Sequence, residues 1–173
     1  MFRLAFCRSQ VILESIMVGT VGKVLTEVNR AYIAGLIDAD GAIMASIESH
    51  KEKRFGFRIR TVVKITQSNV KVLEWVKERL IVGRIVRNRS TFDWIVKNQI
   101  DVLEVLNQIE SFSVGKKLQI EMAKKIISSV IKSKEDLLAV ARMADTLAGF
   151  NVRSKNRRKN YAAKIEVSTS RND

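Results

Sequence analysis

The chain is poor in the residues that cross-link a fold or hold soft metals: among 173 residues there is one cysteine, Cys7, and one histidine, His50. A single thiol excludes an intrachain disulfide, and one thiol with one imidazole excludes the Cys and His clusters that hold zinc. Any catalytic metal therefore rests on carboxylates and backbone oxygens, donors that suit hard cations such as magnesium. Long apolar runs are lacking as well. The most apolar stretch, residues 11–22, is broken by Glu14, and it falls short of the ~20 apolar residues that a membrane span needs. The opening Met1-Phe2-Arg3-Leu4-Ala5-Phe6 gives way to Cys7, Arg8, Ser9 and Gln10, too soon for a secretory signal. The expectation is an intracellular, cytoplasmic protein with no membrane partner.

Acids are also few: 18 Asp and Glu stand against 31 Lys and Arg, a net charge of +13. Such an excess implies a polyanionic partner, nucleic acid foremost. With 46% hydrophobic residues, the chain suffices for one domain with a real core. The expected layout is an extension over residues 1–29, a core over 30–150 and a basic C-terminal segment over 151–173.

Within the core, the pattern predicts a short apolar helix over 30–37 that breaks at Gly41. Two strands follow. Ile43, Ala45 and Ile47 alternate with Met44, Ser46, Glu48 and His50, and Phe57, Ile59, Val63 and Ile65 alternate with Arg58, Arg60 and Lys64, the period of half-buried strands with one polar face. Helical spacing returns over 69–80, with Val72, Trp75, Val76 and Leu80 toward a core. In a second strand pair Arg87 and Arg89 share a face of the first strand, and Phe92, Trp94 and Val96 alternate with Asp93, Ile95 and Lys97. Helices are expected over 99–110, 117–131 and 134–148.

This order predicts an α+β fold, an antiparallel four-stranded sheet with helices on one face and the other face open. The open face would carry Arg58, Arg60, Lys64, Arg87, Arg89 and Lys97. Singly each is an ordinary solvated cation; together they suit a surface that enters the major groove of double-stranded DNA, with Met44, Ser46, Glu48, His50 and Asp93 as further contacts. Five cations without an acid, Arg153, Lys155, Arg157, Arg158 and Lys159, fall within residues 151–160. A solvated basic tail and a phosphate-contacting loop both account for them.

The chemistry lies in Ala31-Tyr32-Ile33-Ala34-Gly35-Leu36-Ile37-Asp38-Ala39-Asp40-Gly41. Ala31, Gly35 and Ala39 recur at four-residue intervals, and small residues so spaced let two helices approach closely. Two carboxylates end the helix, where the macrodipole disfavours anions unless a cation offsets them. Asp38 and Asp40 are two positions apart, do not face the same way and should not share one role.

Residues 33–41 match the LAGLIDADG motif at every position but the first, Ile33 standing for Leu, and the chain resembles the LAGLIDADG homing endonucleases over roughly residues 30–159. The motif occurs once. The resemblance implies a homodimer, with Ala31, Ala34, Gly35 and Asp38 at the helix-pair interface. It implies Asp40 as metal ligand for Mg²⁺ or Mn²⁺, aided by the carbonyl of Ala39, with Asp38 capping or orienting the helix pair. It further implies that Gln67 orients the hydrolytic water, that Lys116 is a catalytic lysine, and that Lys71 is a looser match to a second basic position. The activity so implied is hydrolysis of both strands of a specific DNA site, leaving short 3′ overhangs, by an intron-encoded protein, an archaeal ribosomal RNA intron being the expected host. An intron maturase that binds intron RNA and a non-catalytic DNA-binding regulator are the alternatives on the same fold; a basic ribosome-associated protein would leave the motif unexplained.

Overall fold

The computed structural model describes residues 25–151 and 160–169. Its elements are α1 (Glu27–Asp40), β1 (Gly41–Ser49), β2 (Phe57–Gln67), α2 (Val70–Leu80), β3 (Arg84–Asn88), β4 (Thr91–Val96), α3 (Gln99–Ile109), α4 (Lys117–Ser128), α5 (Lys134–Phe150) and α6 (Tyr161–Thr169). The predicted order holds, and two boundaries differ at the motif helix. Thr26 opens α1 three residues before the expected start, its hydroxyl accepting the Asn29 N–H at 3.3 Å, with Glu27 favourably placed in the first turn. At the other end α1 continues through Asp38 and Ala39 to Asp40. Gly41 then turns the chain into β1 so tightly that a Cβ there would lie 2.6 Å from the Ile37 carbonyl oxygen.

The strands pair antiparallel in the order β1-β2-β4-β3. Ile43 and Ala45 of β1, Val63 and Ile65 of β2, and Trp94 and Val96 of β4 point to one face and are buried. The helices cover that face: α4 and α5 on β1, α1 and α3 on β2, α2 on β4. Their apolar stripes follow helical spacing, as in Leu73, Val76 and Leu80 of α2 and Val102, Val105, Leu106 and Ile109 of α3. In α2 the inward stripe includes Leu73, whereas Val72 and Trp75 are only partly buried. Polar caps start three further helices, Asn69 on α2, Asn98 on α3 and a Ser133–Asp136 capping box on α5, satisfying backbone N–H groups that have no partner within the helix. At the heart of the core Trp94 is fully buried, its indole N–H bonded to the Val82 carbonyl at 3.1 Å.

The C-terminal segment was expected to be basic and no helix was expected beyond residue 148, yet residues 161–169 form α6. Both oxygens of Asp145 on α5 accept backbone N–H groups at its start, Tyr161 at 2.6 Å and Ala162 at 3.1 Å. Tyr161, Ala162 and Ile165 are buried. The signal was present as Asn160, which caps Ala163 N–H at 2.9 Å, ahead of apolar residues at helical spacing; the neighbouring cations masked it.

Candidate active site and nucleic-acid face

The C-terminal end of α1 meets the end of β2 and the loop before α4. There Gln67 donates its side-chain amide N–H to an Asp40 carboxylate oxygen at 2.6 Å. Asp38 faces another way and does different work. One of its oxygens accepts the Ser113 hydroxyl at 2.6 Å, and the other accepts the backbone N–H groups of Val114 at 2.7 Å and Gly115 at 2.9 Å. Lys116, the next residue, donates its ammonium back to the carbonyl oxygen of Asp38. Burial alone would raise the Asp38 pKa, but the Ser113 hydroxyl, the Gly115 and Val114 amides and the Lys116 charge together hold it below its ordinary value. The lysine also supplies the positive charge that a helix C-terminus favours. The helix therefore runs on to Asp40 despite two acids in its last turn.

Asp40, Gln67, Asp38 and Lys116, far apart in sequence, thus converge. Lys71 does not join them. It is exposed and lines an apolar hollow with Val28, Asn29, Tyr32, Val72 and Trp75 beside the N-terminal half of α1.

The residues available to a metal are few. Among the described residues no three His, Cys, Asp or Glu side chains cluster as a metal site. Asp40 is exposed, and Ala39 beside it is exposed too. One carboxylate and one carbonyl are hard oxygen donors that fit a divalent cation of the magnesium class, with most of its coordination left for water and substrate oxygens.

One expected interface residue is placed elsewhere, and another is engaged within its own chain. Ala34 is fully buried with Ile33 and Ile37 in the chain's own core, so it cannot lie on an outer helix face. The Asp38 carboxylate is taken up by the 113–115 loop of its own chain. Ala31, Gly35 and Ala39 do face outward, with Tyr32 and Val28 on the same side. A Cβ on Gly35 would meet nothing within 4 Å.

On the open face of the sheet, the register places Met44, Ser46 and Glu48 beside Val62, Arg60 and Arg58, and Lys64 beside Ile95. His50 lies just past β1 in the hairpin, where its backbone N–H donates to Gly56 and its Nδ1 is buried without a partner. Lys97 is exposed just past β4. Arg87 and Arg89 correct the sequence-based phase. Arg87 pairs with Phe92 and so points to the helix-covered face, while Arg89 sits in the β3–β4 turn at φ 55°. Ile85 sets this phase by packing on the core, which turns Arg84, Val86 and Asn88 outward. Arg84 and Asn88 were missed because Ile85 and Val86 are adjacent apolar residues and either could have faced inward. Asp93 is on the open face but only 6% exposed, its carboxylate held by Thr66, Asn88 and Lys64. Burial opposes its ionisation, yet those three partners hold its pKa below the ordinary value. Lys155, Arg157, Arg158 and Lys159 lie outside the described residues.

The domain is a layered α+β structure with an open antiparallel sheet and an acid-tipped helix, and comparison with known proteins gives its family. The family model for LAGLIDADG endonuclease matches residues 33–127, and the chain belongs to that family. The DNA endonuclease I-CreI of Chlamydomonas reinhardtii is 28% identical over 127 residues, 69% of this chain and 77% of that protein. Among solved structures, I-CvuI, crystallised with the I-CreI target in the presence of magnesium, superposes with a TM-score of 0.73 at 22% identity, over 83% of this chain and 94% of that one. The archaeal intron-encoded homing endonuclease I-Vdi141I in complex with DNA gives a TM-score of 0.68 at 26% identity, over 82% and 96% of the two chains. No helix among the described residues is long and apolar enough to cross a membrane.

Proposed function

We propose that the protein is a homodimeric, site-specific DNA endonuclease that hydrolyses one phosphodiester on each strand with the aid of Mg²⁺ or Mn²⁺ and leaves short 3′ overhangs. The observation that carries this reading is the Asp40–Gln67 hydrogen bond at the end of α1, beside a lysine anchored on the same helix end.

The roles follow from the chemistry of each group. Asp40 and the Ala39 carbonyl would hold the cation, which when bound lowers the pKa of water and offsets phosphate charge. A carboxylate only accepts hydrogen bonds, so the Gln67 amide N–H must point at Asp40 and its carbonyl oxygen must point away. That oxygen is then free to accept a proton of a water molecule and aim its lone pair. Lys116 spends one N–H on Asp38 and keeps two for a phosphate oxygen that gains charge in the transition state. Lys71 contributes at longer range, as a positive charge toward the DNA backbone. Two copies packed through Ala31, Gly35 and Ala39 would bring both Asp40 residues to one end of the helix pair, giving one cut per strand.

Asp40→Asn tests the assignment. The substituted side chain retains an oxygen that accepts from Gln67, so the local structure should survive while the metal-binding charge is removed. The expected outcome is that nicked and cut products disappear in a gel assay on the cognate site with magnesium. Binding in a parallel titration should be kept or slightly tightened, because an anion near the phosphates is gone. Cleavage at near the wild-type rate would place the active site elsewhere.

A further inference from the structure

Of the two anions on the sheet face that the sequence marked as DNA contacts, Glu48 and Asp93, the surroundings of Asp93 point to another task. Asp93 lies on β4 directly beside Thr66 of β2 and Val86 of β3. Its Oδ1 accepts the Thr66 hydroxyl at 2.6 Å; its Oδ2 accepts the Asn88 amide at 2.9 Å and faces the Lys64 ammonium at 3.5 Å. The carboxylate is thus used up by three donors from both neighbouring strands, beneath the surface that they present.

Resting on the DNA-cleaving function proposed above, we propose that Asp93 is a positioning residue for base readout, which orients Asn88 to read adenine and Lys64 to read guanine in the major groove. An ionised carboxylate has no donor, so it fixes the polarity of every partner. The Asn88 amide must turn its nitrogen inward, which leaves its carbonyl oxygen and second N–H directed outward. That pair matches the N6 donor and N7 acceptor of adenine. Lys64 keeps two N–H groups for guanine O6 and N7. Thr66, whose proton is committed to Asp93, presents lone pairs only. Exposure agrees with this division of labour, since Asn88 is exposed and the Lys64 side chain is 29% exposed against 9% for that of Asp93. Lys64 and Asn88 stand on β2 and β3, two strand spacings apart across β4. Because both heads meet the same Oδ2, at 3.5 and 2.9 Å, they are no more than about 6.4 Å apart, so the two read bases lie within about two steps of 3.4 Å.

The test is selection of bound duplexes from a randomised DNA library by the full chain, comparing wild type with Asn88→Ala, Lys64→Ala and Asp93→Asn, each checked by thermal unfolding. Wild type should select adenine and guanine within about two base pairs of each other in each half-site. Asn88→Ala should lose about ten-fold of the adenine preference and Lys64→Ala about ten-fold of the guanine preference, with other positions unchanged. Asp93→Asn places an amide N–H among donors and should weaken both preferences together while leaving the rest of the selected site intact. If Asp93→Asn does not fold, the two exposed-face variants decide the matter by themselves. Unchanged base frequencies in Asn88→Ala and Lys64→Ala would overturn the proposal, as would an Asp93→Asn protein that is less stable but equally selective. A wild-type protein that selects no sequence would overturn the DNA-reading function beneath it, a result distinct from either of these.

Discussion

Replacing Asp38 by asparagine should lower stability by about 2 kcal/mol and lower cleavage without changing which DNA is bound. The magnitude comes from its partners. Asp38 accepts three hydrogen bonds from Ser113, Val114 and Gly115. Both backbone N–H groups share one oxygen, so asparagine can keep its oxygen toward them and turn its N–H to the Ser113 hydroxyl, which rotates to accept. The geometry survives but the charge is lost, and each of the three bonds falls from charge-assisted to neutral, about 0.5–1 kcal/mol apiece, at the lower end because the site is partly open to water. For a chain of this size, about 2 kcal/mol is a fall in Tm of roughly 4–8 °C. Cleavage should fall because the 113–115 loop carries Lys116. The dependence on pH has a defined sign. The folded-state pKa of Asp38 is depressed below 3.8, so its contribution is fully present above that value and is lost as pH falls through the depressed one. The Tm gap between wild type and Asp38→Asn should hold constant from neutrality down to about pH 5 and close in stronger acid. Thermal unfolding across pH and a cleavage assay under single-turnover conditions measure both effects. A variant with wild-type Tm and no cleavage would refute the clamp and make Asp38 a participant in the chemistry.

Gly35→Leu should abolish dimerisation while leaving the monomer as stable as before, or more so by up to about 1 kcal/mol from helix propensity. The reason is that the space outside Gly35 is empty in the monomer; sedimentation of a mutant dimer with wild-type affinity would refute the helix-pair interface. Neutralising Arg157, Arg158 and Lys159 together should make DNA binding less salt-dependent, the slope of log K against log salt falling by about 0.9 for each phosphate that is no longer neutralised, with base preference unchanged. Altered base preference would show that this segment reads sequence.

The sequence by itself determined the α+β order of elements, because alternation and helical spacing are local properties of the chain. It also marked the acid-tipped helix, since nine contiguous residues carry the motif, and Gln67 and Lys116 through their short flanking segments. Tertiary structure decided what those residues touch. Ala34 and Gly35 are adjacent in the motif, yet one is sealed in the core and the other faces open space, a distinction that depends on where the sheet and α3 lie. Asp38 and Asp40 are both acids at a helix end, but only folding brings Ser113, Val114 and Gly115 to one and Gln67 to the other. Strand phase was ambiguous for β3, where Ile85 and Val86 are both apolar, until packing of Ile85 on the core turned Arg84 and Asn88 to the open face and Arg87 to the opposite side of the sheet. Asp93 looked like any polar residue on an open strand. Only its pairing between β2 and β3 surrounds it with donors, because a residue's neighbours across a sheet are set by register and not by the sequence beside it.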